Sequence, residues 1–68
     1  MDVNIEKQIQ GRTVEATQDV TYGGSVPDIK RGDRGVVVDF GRTSGDPIIQ
    51  WVRTRNSTVV YWEHIKFL

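Results

Sequence analysis

A chain of 68 residues has room for one domain and buries only about 60% of the surface its unfolded form exposes, so a partner or a second copy is an expected source of further stability. It contains no cysteine, which excludes a disulfide framework and a thiolate metal site. Nine basic residues balance nine acidic ones, which removes the long-range field that would draw the protein to nucleic acid, an anionic membrane or an acidic substrate.

The longest apolar runs are of three or four residues, far short of a membrane span. The start, Met1-Asp2-Val3-Asn4, lacks the basic and apolar regions of a signal peptide. The expectation is a soluble, cytoplasmic protein with no membrane contact.

Residues 1 to 11 are polar apart from Val3, Ile5 and Ile9. Val3 and Ile5 alternate as a strand would, whereas Ile5 and Ile9 have the spacing of a helical turn. Neither pattern is long enough to stand alone, so a partly ordered tail or an edge strand is expected before the domain proper, residues 12 to 68.

The first strand runs from Arg12 to Thr17, with Val14 and Ala16 on one face. Gln18 to Arg31 follows as a long folded loop, its turns permitted by Gly23 and Gly24 and its path tied down by Val20, Tyr22, Val26 and Ile29. Lys30-Arg31-Gly32-Asp33 forms a turn, and Arg34 to Phe40 is the strongest strand pattern in the chain. Val36, Val38 and Phe40 share one face and Val37 the other, unless a bulge near Gly35 resets the alternation.

Gly41 to Pro47 is a hydrophilic turn. Ile48 to Arg53 and Thr58 to Trp62 form a hairpin reversed at Arg55-Asn56-Ser57. Glu63-His64 suits one tight turn before a last short strand, Ile65 to Leu68. The fold class is therefore all-β: five strands, one long first loop, a tight hairpin and a single short 3-10 turn near the C-terminus.

That order of elements, with Gly32-Asp33-Arg34-Gly35-Val36-Val37 opening the second strand, resembles the SH3-like small β-barrels over residues 12 to 68, the KOW-type modules among them. The resemblance implies a five-stranded barrel serving as a binding scaffold. The chain departs from the peptide-binding SH3 pattern. Tyr22, Asp19 and Asp28 lie on the long loop and Trp62-Glu63-His64-Ile65 takes the place of the short turn, but tandem aromatics after the first strand are missing.

The third strand has two orientations. With Ile48 and Val52 facing the core, Trp51 is an exposed platform beside Arg53, able to stack on a base, a proline or a partner side chain; with Ile49 facing the core, Trp51 is packing. Tyr61 and Trp62 point oppositely, so one of them shows an edge to solvent. Trp62 is the better core residue. The candidate protein contacts are Trp51, Tyr61, Trp62 and Tyr22.

Arg31, Arg34, Arg42, Arg53 and Arg55, with Trp51 interleaved, are the candidates for nucleic-acid contact, against a bland reading in which each is a solvated turn residue balanced by Asp33, Asp39 or Asp46. His64 is the one histidine and reads as a surface residue. No acid, base and nucleophile set can be named, and no metal or cofactor site. The expected function is a small non-catalytic module that docks on a protein, or on itself, through an aromatic and arginine surface; the alternative is a nucleic-acid-binding accessory barrel.

Overall fold

A computed structural model describes residues 3–68. After a short helix, α1 (Val3–Ile9), five strands follow: β1 (Thr13–Ala16), β2 (Arg34–Phe40), β3 (Pro47–Trp51), β4 (Ser57–Val59) and β5 (Ile65–Phe67), with a 3-10 turn at Trp62–His64. The strands make one antiparallel sheet in the order β4-β3-β2-β1-β5. The protein is a small all-β domain. Among the described residues no ladder joins the outer strands β4 and β5, so strand pairing does not close the expected barrel.

The N-terminal segment corrects the expectation of an edge strand. The helical spacing of Ile5 and Ile9 prevails, and Ile9 packs against the core. A seven-residue helix is too short to hold by its own hydrogen bonds. Its C-terminal end is fastened to β2 instead: Gly11 N–H donates to Val37 O at 2.7 Å and the Gln10 side-chain amide to Val38 O at 2.9 Å.

Val38 is also where the alternation of β2 breaks. The register with β3 pairs Val37 with Ile49 and then Asp39 with Ile48, which leaves Val38 as the extra residue of a bulge. Gly35, Val37 and Phe40 consequently face inward. The shared face of Val36, Val38 and Phe40 is thereby overturned, and the reset lies three residues beyond Gly35. The Gln10 bond satisfies the bulge carbonyl.

Opposite this inward face, Pro47, Ile49 and Trp51 of β3 are buried. Together with Val14, Ala16, Ile29, Val60 and Ile65 they fill a core that Ile9, Val20, Tyr22 and Trp62 flank. At Gly35, β2 packs against β3 with no room for a side chain. A Cβ there would lie 2.6 Å from Gln50 O and from Ile49 Cγ2.

The long loop between β1 and β2 is itself a pinched hairpin. Val20 and Ile29 exchange both backbone hydrogen bonds, at 2.8 and 2.9 Å, and Ile29 is fully buried. Asp19 Oδ1 accepts from Arg31 N–H at 2.7 Å. Val26, expected to help tie the loop, is exposed at its tip. Gly32, at φ 92°, turns the chain into β2 while Asp33 N–H donates to Lys30 O.

Candidate functional site

Three connections converge on one end of the sheet. Val20, Thr21 and Tyr22 come from the β1–β2 loop, Ser44 and Asp46 from the β2–β3 loop, and Val59, Val60, Tyr61 and His64 from the chain leaving β4 and entering the 3-10 turn. Between them lies an open groove of about 340 Å³ with predominantly apolar walls. Asp46 is its one carboxylate, and no lysine or arginine lines it among the described residues.

Each wall has a local cause. The 3-10 turn is held against the end of β1, where Thr17 N–H donates to His64 O at 2.8 Å and Thr17 Oγ1 to Glu63 O at 3.2 Å. That anchor leaves Tyr61 60% exposed, with its ring edge-on to the His64 imidazole at 5.4 Å. His64 is not the surface residue expected. Its side chain is only 18% exposed, and Nδ1 is buried without a hydrogen-bond partner.

Tyr22 reaches the groove from the opposite side. Its backbone N–H donates to Asp28 Oδ1 at 3.3 Å, and its hydroxyl lies 2.8 Å from Val59 O and 3.1 Å from Thr58 Oγ1. Thr58 is buried, and its hydroxyl oxygen accepts the indole N–H of Trp51 at 2.8 Å. Sequence reasoning found Tyr22 and Tyr61 but missed Asp46, Thr58, Val59 and the inward part of His64. The alternation at Thr58 and Val59 is visible in the sequence; which loops they meet is not.

Trp51 corrects the platform reading. It is 1% exposed, because β3 pairs Trp51 with inward Gly35 and Ile49 with inward Val37, which puts both side chains in the core. Arg53, expected beside an exposed Trp51, grips Asp33 instead: Nε and the terminal nitrogen contact the carboxylate at 2.7 to 3.1 Å, and the terminal nitrogen also donates to Asp28 O at 2.9 Å. This bidentate pair clasps the β3–β4 turn to the long loop. The Arg53 guanidinium holds the Asp33 carboxyl below its usual range, aided by the Lys30 N–H. Asp33 in turn raises the pKa of Arg53.

Of the other arginines, Arg31 and Arg34 lie with Lys66 around Glu15, while Arg42 and Arg55 stand apart from them. Arg34 lies 3.8 Å from Glu15, whose other oxygen is 3.0 Å from Lys66, a cross-strand set on the outer face of β2, β1 and β5. Lys66, ahead of Arg34, holds the Glu15 carboxyl below its usual range. Arg31 borders a cleft with Glu15 and Lys66, Arg42 a second with Glu6 and Asp39, and Arg55 a third with Val36 and Gln50. Arg55 adopts φ 61°, the left-handed conformation that ends the hairpin turn.

Trp62, the remaining aromatic, is half-buried against Phe40 and Phe67, at ring separations of 6.2 and 6.4 Å. It lies outside the groove lining and completes the core rim, as the sequence favoured. Arg12 lies over the Phe67 ring at 4.4 Å. Among the described residues no group of three or more histidine or acidic side chains could hold a metal ion, and no helix is long and apolar enough to cross a membrane.

Comparison with known proteins gives no match: no family model, no curated protein and no solved structure is similar to the chain.

Proposed function

We propose that the protein is a non-catalytic interaction module, of the SH3-like barrel type, that docks on an extended segment of a partner protein through the Tyr22–Tyr61 groove. The observation that carries this is the groove's composition. Two tyrosines with accessible ring surface, three valines and a lone carboxylate face an open trough, while the sheet beneath serves to hold it. Tyrosine is suited to such a place, since its ring offers apolar contact area at the cost of few rotatable bonds and its hydroxyl accepts solvent when the groove is empty.

The lining also says what kind of segment fits. Valine walls favour a chain with short apolar side chains, and the carboxylate of Asp46, unpaired among the described residues, favours a basic side chain beside them. An extended chain leaves its own backbone groups hydrated along an open trough, which avoids burying unpaired polar groups.

The arginine surface envisaged for nucleic acid has less support. Arg34 and Arg53 are engaged by carboxylates, Arg31 shares the Glu15 cluster with Arg34, and Arg42 and Arg55 border clefts of their own.

The test is a peptide-display selection on the folded protein, followed by titration of the enriched peptide against the Tyr61→Ala variant. Because Tyr61 is exposed, its removal should leave the melting midpoint within a few degrees. Binding should fall by at least tenfold, as for a central aromatic contact. Full retention of binding by this variant would refute the groove as the docking surface.

A further inference from the structure

The hydrogen-bond accounting between core and groove is constrained enough to assign a role to Thr58. Val59 O is a carbonyl and can only accept, so the single proton of the Tyr22 hydroxyl, 2.8 Å away, is committed to it. The Trp51 indole N–H can only donate, and it donates to Thr58 Oγ1 at 2.8 Å. The contact of 3.1 Å between Thr58 Oγ1 and the Tyr22 oxygen is then filled by the one proton left, that of the Thr58 hydroxyl. The chain has one direction: Trp51 N–H to Thr58, Thr58 O–H to Tyr22, Tyr22 O–H to Val59 O.

We propose that Thr58 is a positioning residue for the groove, orienting the Tyr22 ring by a hydrogen bond that Thr58 donates, its direction set by the commitment of the Tyr22 proton to Val59 O. This rests on the groove being the docking surface. Tyr22 sits on the long loop, and its hydroxyl is fixed by β4 alone among the described residues. Without the Thr58 contact, the ring would keep one hydrogen bond and regain freedom to swing about it. An orienting contact of this kind lowers the ordering cost met on binding, rather than adding a contact to the ligand. Thr58 itself is buried and does not line the groove.

The chain also makes Trp51 a reporter. Polarisation along consecutive hydrogen bonds links the indole N–H to the state of the Tyr22 hydroxyl, although Trp51 is 1% exposed and touches no ligand in the groove.

The experiment uses the peptide enriched by display on the wild-type protein and a double-mutant cycle of Thr58→Val with Tyr22→Phe, with Thr58→Ser as the conservative rescue. Valine keeps the volume of threonine and removes the hydroxyl, which also takes the acceptor from the Trp51 indole N–H, a loss common to both backgrounds of the cycle; serine keeps the hydroxyl. Thr58→Val should weaken peptide binding roughly three- to tenfold, the range of one net hydrogen bond. Thr58→Ser should restore most of it. In the Tyr22→Phe background, where no hydroxyl is left to orient, Thr58→Val should weaken binding clearly less than in the wild-type background.

The ligand-free readout is the Trp51 indole N–H resonance, assigned with a Trp62→Phe variant. It should move in Tyr22→Phe even though that variant keeps the direct Trp51–Thr58 bond. Additive losses in the cycle, or an unmoved indole resonance, would overturn the role of Thr58 while leaving the groove intact. A peptide whose binding survives Tyr61→Ala would instead overturn the groove and this role with it.

Discussion

Replacing Gly35 by alanine tests the packing of the two central strands, on which the position of Trp51 and of every groove element depends. The added Cβ would stand 2.6 Å from Gln50 O and Ile49 Cγ2, and 3.2 Å from Gln50 C. Ile49 Cγ2 belongs to a fully buried side chain and Gln50 O to the backbone of a central strand, so neither can rotate away. Relief requires β2 and β3 to separate where Gly35 pairs with Trp51 and Val52 N–H donates to Arg34 O. Overpacking of this kind costs about 1–3 kcal/mol. Against that, alanine restricts the unfolded chain and returns about 0.4–1 kcal/mol.

The net loss of about 1–2 kcal/mol corresponds to a fall of roughly 5–15 °C in the melting midpoint of a domain of this size. Thermal unfolding followed by far-ultraviolet circular dichroism measures it. Gly23→Ala is the matched control, since no heavy atom lies within 4 Å of its would-be Cβ and its backbone is not left-handed. That variant should melt at or slightly above the wild-type midpoint. A Gly35→Ala midpoint equal to that of Gly23→Ala would refute the close approach of β2 and β3.

Three further outcomes follow from the same geometry. Trp51→Ala should lower the melting midpoint by more than about 10 °C or abolish the transition, because emptying so large a buried site costs about 3–5 kcal/mol from a total of roughly 3–10 kcal/mol for a chain of this length; a sharp transition near the wild-type midpoint would contradict its burial. The carboxylates of Asp33 and Glu15 are held in their charged form by Arg53 and Lys66, so the folded state binds fewer protons than the unfolded chain just below the ordinary values of 3.8 and 4.5. Their stabilising contribution is fully present above those values and is lost as pH falls through the lowered folded ones. Asp33→Asn should therefore lower the melting midpoint at neutral pH and flatten its fall on acidification; an unchanged slope would contradict the clasp. At Arg55, where φ is 61°, replacement by glycine should leave the midpoint unchanged or slightly raised. Replacement by valine should cost about 1 kcal/mol in the same scans, since a β-branched residue tolerates left-handed backbone poorly.

Some of this architecture was legible in the residues. The inward alternation of Val14 and Ala16, the glycine-opened β2 and a single turn at Glu63-His64 follow from local chemistry and hold in the fold, although the turn begins at Trp62, where the fourth strand was expected to continue. The orientation of β3 was not legible, because Ile48 with Val52 and Ile49 with Trp51 form two equally apolar faces. What decides between them is pairing with the inward Gly35 and Val37 of β2, a consequence of another strand, and no residue type in β3 announces it. Helix α1 was ambiguous for a similar reason: its fastening to Val37 and Val38 comes from some 28 residues away.

The candidate site divides along the same line. Tyr22 and Tyr61 stand out as aromatics on a loop and at a strand end, and both line the groove. His64 and Asp46 acquire their place only when three connections meet. Asp33 was among the carboxylates weighed against the arginines, but its direct grip on Arg53, 20 positions later, is set by the fold. In a domain this small, the side chains that suggested function by type were in two cases taken up by the fold: Trp51 by its core and Arg53 by its clasp.

The most direct test of the docking groove is a map of backbone amide shifts as the display-selected peptide is titrated into isotope-labelled protein. The groove account expects the largest changes at Val20 to Tyr22, Ser44, Asp46, Val59 to Tyr61 and His64, with Arg31, Arg42 and Arg55 unmoved. Changes centred on those three arginines, or on the outer face at Glu15, Arg34 and Lys66, would contradict it.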